Sequence, residues 1–432
     1  MRKKAFIPIT ILVILSLYIM PVYADPIKTD AHAYILVDAK TSMVLCEKNA
    51  DDRLYPASTT KILTGIVALE NGDLNQMMTA SREAVRDIGA GGMNIGISPG
   101  EELRMEDLVN AMLIQSANET ANILAENLAP TRKDFIDMMN NKAKELGATN
   151  TNFTNPCGMH DNEHYTTARD LSIMARYGMT IPKFREIVAK DSYAMTPTNM
   201  HKSWDMLYTT NRLLYQTSDF FSKVTGIKSG FTSQAGFNLV SSAINNDGME
   251  LIAVVMGETD HPQSRVVNDS KTLLEHGFKD FYIQKVADAG QAVKSVAVGG
   301  AKEPTNVDLV LESEFKTVLP VDKNEWNISA IENINPDIKA PIKKGDVLGY
   351  IEYERDGIKL GKVNLIAANS IEKNSIETIK EKAGNPILLS ISKTVLIAFV
   401  CLFFLRIVPR TISRRRRARR RRSIYTNRRL TK

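Results

Sequence analysis

Along the first half of the chain, hydrophobic positions occur with two different spacings. The first predicts strands, and the second, further along, predicts helices. Residues 34–38 and 43–47 are short apolar runs joined by a polar turn, a pattern typical of two adjacent strands. From residue 59 to residue 70 the apolar side chains recur every three to four positions, which predicts a helix. Four further helices are predicted at residues 105–114, 119–128, 133–146 and 167–177.

The pattern changes in the second half of the chain. Residues 237–244 and 249–256 are almost continuously apolar, and the Asn-Asn-Asp-Gly sequence between them is typical of a β-hairpin turn. Residues 273–282 return to helical spacing. The order of strands, helices, strands and helix predicts one α/β (α+β) domain over residues 25–283, with a mainly antiparallel sheet and a helical subdomain.

Residues 284–370 differ from the preceding domain because short stretches of alternating apolar and polar residues are separated by turn sequences. This pattern predicts a small all-β domain. Residues 371–385 are polar and are predicted to form a short stalk.

Residues 1–24 have the pattern of a secretory signal peptide. A basic start precedes an apolar run over residues 5–20, and residues 22–24 resemble a cleavage site. The alternative is an N-terminal anchor that stays attached. In both cases the folded part is expected to begin near Asp25.

A transmembrane helix is predicted within residues 386–408. Residues 387–405 contain one charge, Lys393, and at 1.5 Å per residue they just cross a hydrocarbon core of ~30 Å. An amphipathic helix lying in the membrane interface is the alternative. The arginine-rich segment that follows, residues 409–432, marks the cytoplasmic side. We therefore expect the folded part to lie outside the cell and to be anchored to its membrane.

The net charge of +6 describes the ends of the chain rather than its folded part. Residues 409–432 contain eleven Arg, one Lys and no acidic residue, so the rest of the chain is acidic on balance. We expect this tail to contact anionic lipid headgroups. No specific nucleic-acid partner is expected, since no structured binding module accompanies the arginines. The composition, with 44% hydrophobic and 24% charged residues, is that of a globular protein.

Three cysteines in 432 residues are too few for a disulfide scaffold. Cys401 lies in the apolar run near the C-terminus, so only Cys46 and Cys157 could pair within the folded part. Two free thiols are the favoured interpretation.

Candidate chemistry begins at Ser58, which opens the first predicted helix three residues before Lys61. This spacing places both side chains on one helix face. A serine hydroxyl becomes a good nucleophile when a neighbouring base takes its proton, and lysine can be that base when its pKa is lowered. Taken alone, the same spacing also fits a helix N-cap serine and a surface lysine.

Two further motifs favour catalysis. Ser116-Ala117-Asn118 falls at the break between two predicted helices, and Lys228-Ser229-Gly230 is predicted to begin a strand before the hairpin. The three motifs follow the order S-x-x-K, S-x-N and K-T/S-G.

Residues 25–283 thereby resemble the serine D-alanyl-D-alanine carboxypeptidases, a family of low-molecular-mass penicillin-binding proteins. The family also has a small β domain and a C-terminal membrane attachment. The resemblance implies a β-lactamase/transpeptidase-like catalytic domain.

The resemblance also implies roles for individual residues. Ser58 is the expected nucleophile, Lys61 the general base and Ser116 the proton relay. Asn118 is expected to hold the substrate amide, and the backbone N–H groups of Ser58 and Phe231 to form the oxyanion hole.

Lys228, Ser229 and Gly230 are expected to bind the terminal carboxylate of the substrate, assisted by Arg265. Three positions depart from the family pattern. Serine replaces the usual threonine at 229, alanine replaces glycine at 117, and Arg265 lies one residue out of register.

The function implied is removal of the terminal D-alanine from peptidoglycan stem peptides ending in D-Ala-D-Ala, with β-lactams as covalent inhibitors and no cofactor or metal. A D,D-endopeptidase or transpeptidase, a β-lactamase and a non-catalytic cell-wall binding protein remain as alternatives.

One competing motif is the H-x-x-E-H sequence from His160 to His164, which matches an inverted zinc-protease signature. That signature requires a helix. The neighbouring Pro156 and Gly158, with Asp161, predict a loop instead, and we expect this loop to lie at the rim of the active cleft.

Overall fold

The computed structural model describes residues 27–89, 91–259, 263–374 and 393–402. Contacts along the chain define two compact units. The first contains the described residues up to Gln284 together with Lys316–Ile328 and Arg355–Leu360, and the second contains the remaining described residues.

The described strands, numbered in chain order, are β1 (Ala33–Asp38), β2 (Val44–Lys48), β3 (Met77–Thr79), β4 (Glu102–Arg104), β5 (Ser192–Tyr193), β6 (Leu207–Tyr208), β7 (Lys223–Thr232), β8 (Gly236–Ile244), β9 (Glu250–Glu258), β10 (Phe281–Ala287), β11 (Ala292–Ala297), β12 (Asn306–Leu311), β13 (Phe315–Pro320), β14 (Ile328–Ile334), β15 (Val347–Arg355) and β16 (Ile358–Ala367). The helices of the two units are α1 (Lys61–Asn71), α2 (Arg82–Arg86), α3 (Met105–Ile114), α4 (Asn118–Leu128), α5 (Arg132–Leu146), α6 (Ala168–Gly178), α7 (Pro182–Val188) and α8 (Ser264–Asp280). Short 3₁₀ turns occupy Ala57–Thr60, Arg212–Tyr215 and Lys323–Glu325.

A five-stranded antiparallel sheet in the order β2-β1-β9-β8-β7 forms the centre of the first unit. Every residue of β1 is buried, because helices cover both faces of the sheet. Ile35 and Val37 face the helical core, whereas Leu36 contacts α8 on the other face. This arrangement explains why the strands appear in the sequence as continuous apolar runs.

Helix α8 lies unusually close to the sheet at Gly277. A Cβ at this position would lie 2.5 Å from Leu251 and 2.7 Å from Leu36, so only glycine permits the approach.

Helix α1 runs through the middle of the helical subdomain. Each of its residues from Lys61 to Ala68 is buried, and it contacts α3, α4, α5, α6 and α7. A helix that is buried on all sides has no exposed face for a charged side chain. The fully buried Lys61 amine finds hydrogen-bond partners inside the protein.

The predicted strands and helices of the catalytic domain are confirmed, with two corrections. Helix α8 begins at Ser264, nine residues before the predicted start, and residues 281–282 belong to β10. The buried face of α8 includes Ser270, a polar residue. Because Ser270 interrupts the apolar spacing, the pattern did not predict the first two turns of the helix.

The second correction concerns Lys228-Ser229-Gly230, which lies in the middle of β7 rather than at its start. The first half of β7 contains Thr225, whose hydroxyl hydrogen-bonds Ser242 and Glu250 inside the protein. Because Thr225 is polar, the first half of β7 does not appear in the sequence as an apolar run.

The second unit is all-β, as predicted. Its five-stranded sheet has the order β11-β12-β16-β15-β14, and the side chains of β12 alternate between exposed and buried. Phe315 stacks on Tyr353 with 4.3 Å between ring centroids. Strands β10 and β13, most of whose residues belong to the first unit, form a separate two-stranded sheet.

The predicted signal peptide (1–24) and arginine-rich tail (409–432) lie outside the described residues, as does most of the stalk. Of the predicted membrane helix, residues 393–402 are described and are helical. Within the part of the chain that the structure describes, no helix has both the length and the apolar character needed to cross a membrane.

Candidate active site

The three sequence motifs meet at one cavity of about 1100 Å³. Ser58 comes from the 3₁₀ turn before α1, Ser116 and Asn118 from the α3–α4 junction, and Ser229 and Gly230 from β7. Because β7 is an edge strand of the sheet, one side of its backbone remains available to a ligand.

The turn that carries Ser58 is held in place by hydrogen bonds that its carbonyl groups accept from side chains. The Thr59 hydroxyl donates to Pro56 O at 2.7 Å, and the Thr60 hydroxyl donates to Ala57 O at 2.8 Å. The Asn238 amide donates to Tyr55 O and Pro56 O, at 2.9 and 3.1 Å. These bonds hold the Ser58 backbone against the cavity wall.

Two glycines allow other segments to pack against this turn. A Cβ at Gly158 would lie 1.9 Å from Ala57 O, and a Cβ at Gly230 would lie 2.9 Å from the Ser58 nitrogen. The close approach of Gly230 brings the backbone of β7 beside the Ser58 amide. An oxyanion hole formed by the N–H groups of Ser58 and Phe231 stays a prediction.

The Lys61 amine lies beneath Ser58 and is fully buried. It is 2.7 Å from Asn118 Oδ1, 2.7 Å from the Cys157 carbonyl oxygen and 3.0 Å from Ser58 Oγ. A neutral amine has two N–H donors, which the first two oxygens accept. The charged amine donates to all three oxygens, including Ser58 Oγ; the neutral amine that donates to Asn118 and Cys157 leaves its lone pair for the Ser58 proton, as a general base requires.

Burial lowers the pKa of Lys61 to about 8, while the nearby Cys157 and Glu119 act in the opposite direction. Burial and the positive charge of Lys61 lower the pKa of Lys228 well below its usual value. A carboxylate that enters the cavity would favour the charged form of Lys228 again.

The second motif connects the base to the opposite wall of the cavity. The Asn118 amide donates to Ile88 O at 2.9 Å while its oxygen accepts from Lys61. Ser116 has a positive φ of 67°, and its hydroxyl has no hydrogen-bond partner among the residues described here. That hydroxyl is available to a ligand in the cavity.

The third motif forms a corner with Thr210, a residue that sequence analysis missed. Lys228 donates to Ser229 O at 2.9 Å and to Thr210 Oγ1 at 3.4 Å, and the Ser229 hydroxyl donates to Thr210 Oγ1 at 2.9 Å. The Gln263 amide donates to Thr210 O at 3.2 Å. Thr210 has no motif of its own, so only its contacts identify it.

The structure does not place Arg265 in the cavity wall. Its guanidinium forms an ion pair with Asp30, and the residues of this segment that line the cavity are Gln263 and Val266. Another arginine, Arg212, lines the cavity from the turn beside Thr210. It forms no ion pair with any residue in the described ranges, and no sequence signal distinguished it.

The H-x-x-E-H segment is a loop at the cavity rim, as predicted. His160 lines the cavity and packs edge-on against Tyr55, with ring centroids 4.6 Å apart. Both ring nitrogens of the buried His164 are engaged, one with Thr60 and the other with the Thr154 amide. Within the described ranges no three His, Cys, Asp or Glu side chains are grouped to hold a metal ion.

The cysteines are free, which confirms the favoured interpretation. Cys46 and Cys157 are both buried and unpaired.

Comparison with known proteins identifies both units. Residues 20–260 match a family described as D-alanyl-D-alanine carboxypeptidase, and residues 281–373 match the C-terminal domain of penicillin-binding protein 5.

Similar curated proteins include the D-alanyl-D-alanine carboxypeptidase DacF of Bacillus subtilis. The two chains are 28% identical over 355 residues, which cover 82% of this chain and 89% of that protein. The D-alanyl-D-alanine carboxypeptidase DacA of Haemophilus influenzae is 30% identical over 81% of this chain and 88% of its own length.

Among solved structures, penicillin binding protein 5 from Haemophilus influenzae superimposes with a TM-score of 0.65 at 28% identity. The alignment covers 81% of this chain and all of that one. The peptidoglycan synthesis regulatory factor PBP3 from Streptococcus pneumoniae gives a TM-score of 0.67 at 26% identity, over 80% of this chain and all of that one.

The predicted role of Lys61 as general base can be tested through its pKa. A base must be neutral to accept a proton, so we expect the rate at which a fluorescent β-lactam acylates the protein to rise about tenfold per pH unit below about 8 and to level off above it. Stopped-flow measurements from pH 5.5 to 9.5, with circular dichroism to confirm folding, test this. A rate that is constant or falls between pH 6 and 8 contradicts it.

Acylation of Ser58 is expected to be unaffected by a chelator, because His164 uses both ring nitrogens for hydrogen bonds within the protein. The protein is incubated with EDTA, desalted and compared with an untreated sample for its rate of labelling. A loss of labelling that Zn²⁺ restores contradicts the assignment of this segment as a loop without a metal.

Proposed function

The chain belongs to the D-alanyl-D-alanine carboxypeptidase family, and we propose that it removes the terminal D-alanine of peptidoglycan stem peptides through an acyl-enzyme on Ser58. It is a serine hydrolase of the penicillin-binding class, with a catalytic domain followed by an all-β domain. The observation that carries the residue assignment is the position of the Lys61 amine, 3.0 Å from Ser58 Oγ with two other acceptors for its protons.

In the acylation step, neutral Lys61 takes the Ser58 proton while Oγ attacks the carbonyl carbon between the last two D-alanines. The negative charge that develops on the carbonyl oxygen is stabilised by the N–H groups of Ser58 and Phe231. Asn118 donates its remaining amide N–H to the substrate backbone.

The tetrahedral intermediate then collapses. The C–N bond to the terminal D-alanine breaks, and the leaving amine receives a proton through the Ser116 hydroxyl, which is replaced from Lys61. The peptide remains as an ester of Ser58. Water, deprotonated by Lys61, hydrolyses this ester and regenerates the enzyme.

The terminal carboxylate of the substrate binds at the corner formed by Lys228, Ser229 and Thr210. Arg212 supplies a second cation there in place of Arg265. The support for this assignment is that Arg212 lines the cavity, whereas Arg265 is paired with Asp30. A guanidinium can hold a carboxylate with two parallel hydrogen bonds.

The catalytic domain acts outside the cell on this proposal, because peptidoglycan lies there. Support comes from the sequence alone, which has a signal-like segment at residues 1–24 and an apolar segment at 386–408 followed by arginines. The apolar segment would anchor the enzyme to the membrane.

Ser58→Ala is expected to abolish covalent labelling by a fluorescent penicillin and release of D-alanine from a D-Ala-D-Ala peptide. Ser233→Ala, which removes an exposed hydroxyl from the same cavity rim, is the matched control and should retain both. Mass spectrometry of the products identifies the acceptor. Labelling that persists in Ser58→Ala overturns the nucleophile, and transfer of the peptide to an added amine indicates a transpeptidase instead.

Arg212→Gln is expected to raise KM for a D-Ala-D-Ala peptide about tenfold, because a charge-assisted hydrogen bond to the carboxylate is lost. Arg265→Gln, the matched control, should leave KM unchanged. A peptide ending in a carboxamide should be a poor substrate for the unaltered enzyme and should lose nothing further in Arg212→Gln. A larger effect of Arg265→Gln than of Arg212→Gln contradicts the assignment.

A further inference from the structure

Two successive hydrogen bonds connect the buried His164 to the turn that carries Ser58. His164 Nε2 lies 2.8 Å from the Thr60 hydroxyl, and that hydroxyl lies 2.8 Å from Ala57 O. All three residues are buried. His164 does not line the cavity and touches no reacting atom.

The direction of each bond in this chain is determined. The Thr154 backbone N–H donates to His164 Nδ1 at 3.0 Å, so Nδ1 carries no proton and Nε2 carries one. His164 Nε2 therefore donates to Thr60 Oγ1. The single hydroxyl proton of Thr60 is then directed to Ala57 O.

Burial supports the neutral form that these directions require. It lowers the pKa of His164 to about 4, with a further lowering by His160 and an opposing effect of Asp161. The imidazole is thus neutral, in one tautomer, throughout the pH range in which Lys61 titrates.

Ala57 O matters because it belongs to the same planar peptide unit as the Ser58 N–H. In a trans peptide the carbonyl and the N–H point in opposite directions, so fixing one fixes the other. Ala57 also has a φ of 48°, an unfavourable value for a residue with a side chain, which must be maintained by its surroundings.

We propose that His164 is a positioning residue which, through Thr60, orients the Ala57–Ser58 peptide and thereby aims the Ser58 N–H at the developing oxyanion. This inference rests on the proposed acyl-enzyme mechanism. It assigns to the second histidine of the H-x-x-E-H segment a role in the serine reaction.

Two pairs of variants separate positioning from general stability. His164→Asn places an amide where Nδ1 lies and lacks the donor to Thr60, whereas His164→Gln can place an N–H near Nε2. Thr60→Val removes the donor to Ala57 O. The control, Thr151→Val, removes a similarly buried hydroxyl. That hydroxyl belongs to a cluster with Thr166 and Asp170 that does not contact the turn that carries Ser58.

Each purified variant is compared for its rate of Ser58 acylation by a fluorescent penicillin, kcat and KM on a D-Ala-D-Ala peptide, and melting temperature. His164→Asn and Thr60→Val are expected to lower the acylation rate and kcat by about tenfold to a hundredfold with KM little changed, since a small misorientation has effects of this size. His164→Gln should recover most of the rate, and Thr151→Val should lower only the melting temperature. The double variant His164→Asn/Thr60→Val should be no slower than Thr60→Val alone, because His164 acts only through the Thr60 hydroxyl.

Equal acylation rates in His164→Asn and His164→Gln, or rate losses that multiply in the double variant, overturn the proposal. If the His164 variants do not fold, the comparison of Thr60→Val with Thr151→Val decides: equal acylation rates in that pair overturn it. An unaltered enzyme that penicillin does not label at Ser58 refutes the proposed function itself, a result distinct from any difference between the variants.

Discussion

A fully buried lysine amine next to a serine hydroxyl is the constraint on which the rest of the active site depends. An ammonium group loses much of its hydration free energy on burial, so burial favours the neutral form. The two oxygens beside Lys61, from Asn118 and Cys157, satisfy the two N–H groups of that neutral form. Helix α1 provides the enclosure, because its residues from Lys61 to Ala68 are all buried.

The backbone of the site is shaped by close approaches that leave little freedom. The backbone at Gly158 and at Gly230 packs against the turn that carries Ser58. A Cβ atom at either position would collide with the backbone of that turn. The carbonyl groups of Tyr55, Pro56 and Ala57 accept hydrogen bonds from side chains, which fixes the backbone that carries Ser58. Electrostatic stabilisation of an oxyanion requires donors that are already in place before the reaction, and this packing supplies that preorganisation.

Sequence patterns predicted the elements that bury apolar stripes, together with the three motifs, because both depend on local spacing. They failed where a contact between distant segments decides the outcome. The start of α8 was not predicted because Ser270 is a polar residue in its buried face. The first half of β7 was not predicted because the buried Thr225 is polar and pairs inside the protein. The ion pair of Arg265 with Asp30, more than two hundred residues away in sequence, also follows no local pattern. The sequence already favoured a loop over a zinc site for the segment that contains His164, but the hydrogen bonds of His164 with Thr60 and Thr154 follow no local pattern.

The central claim, that burial makes Lys61 a base for Ser58, is tested most directly by titrating that one amine. NMR spectra of the enzyme labelled with [¹³C]lysine, with the Lys61 Cε resonance assigned by its loss in Lys61→Arg, give its pKa without relying on turnover. The structure predicts a pKa of about 8. A pKa at the ordinary lysine value of 10.5 would contradict the account, because the amine would then remain charged wherever the enzyme works.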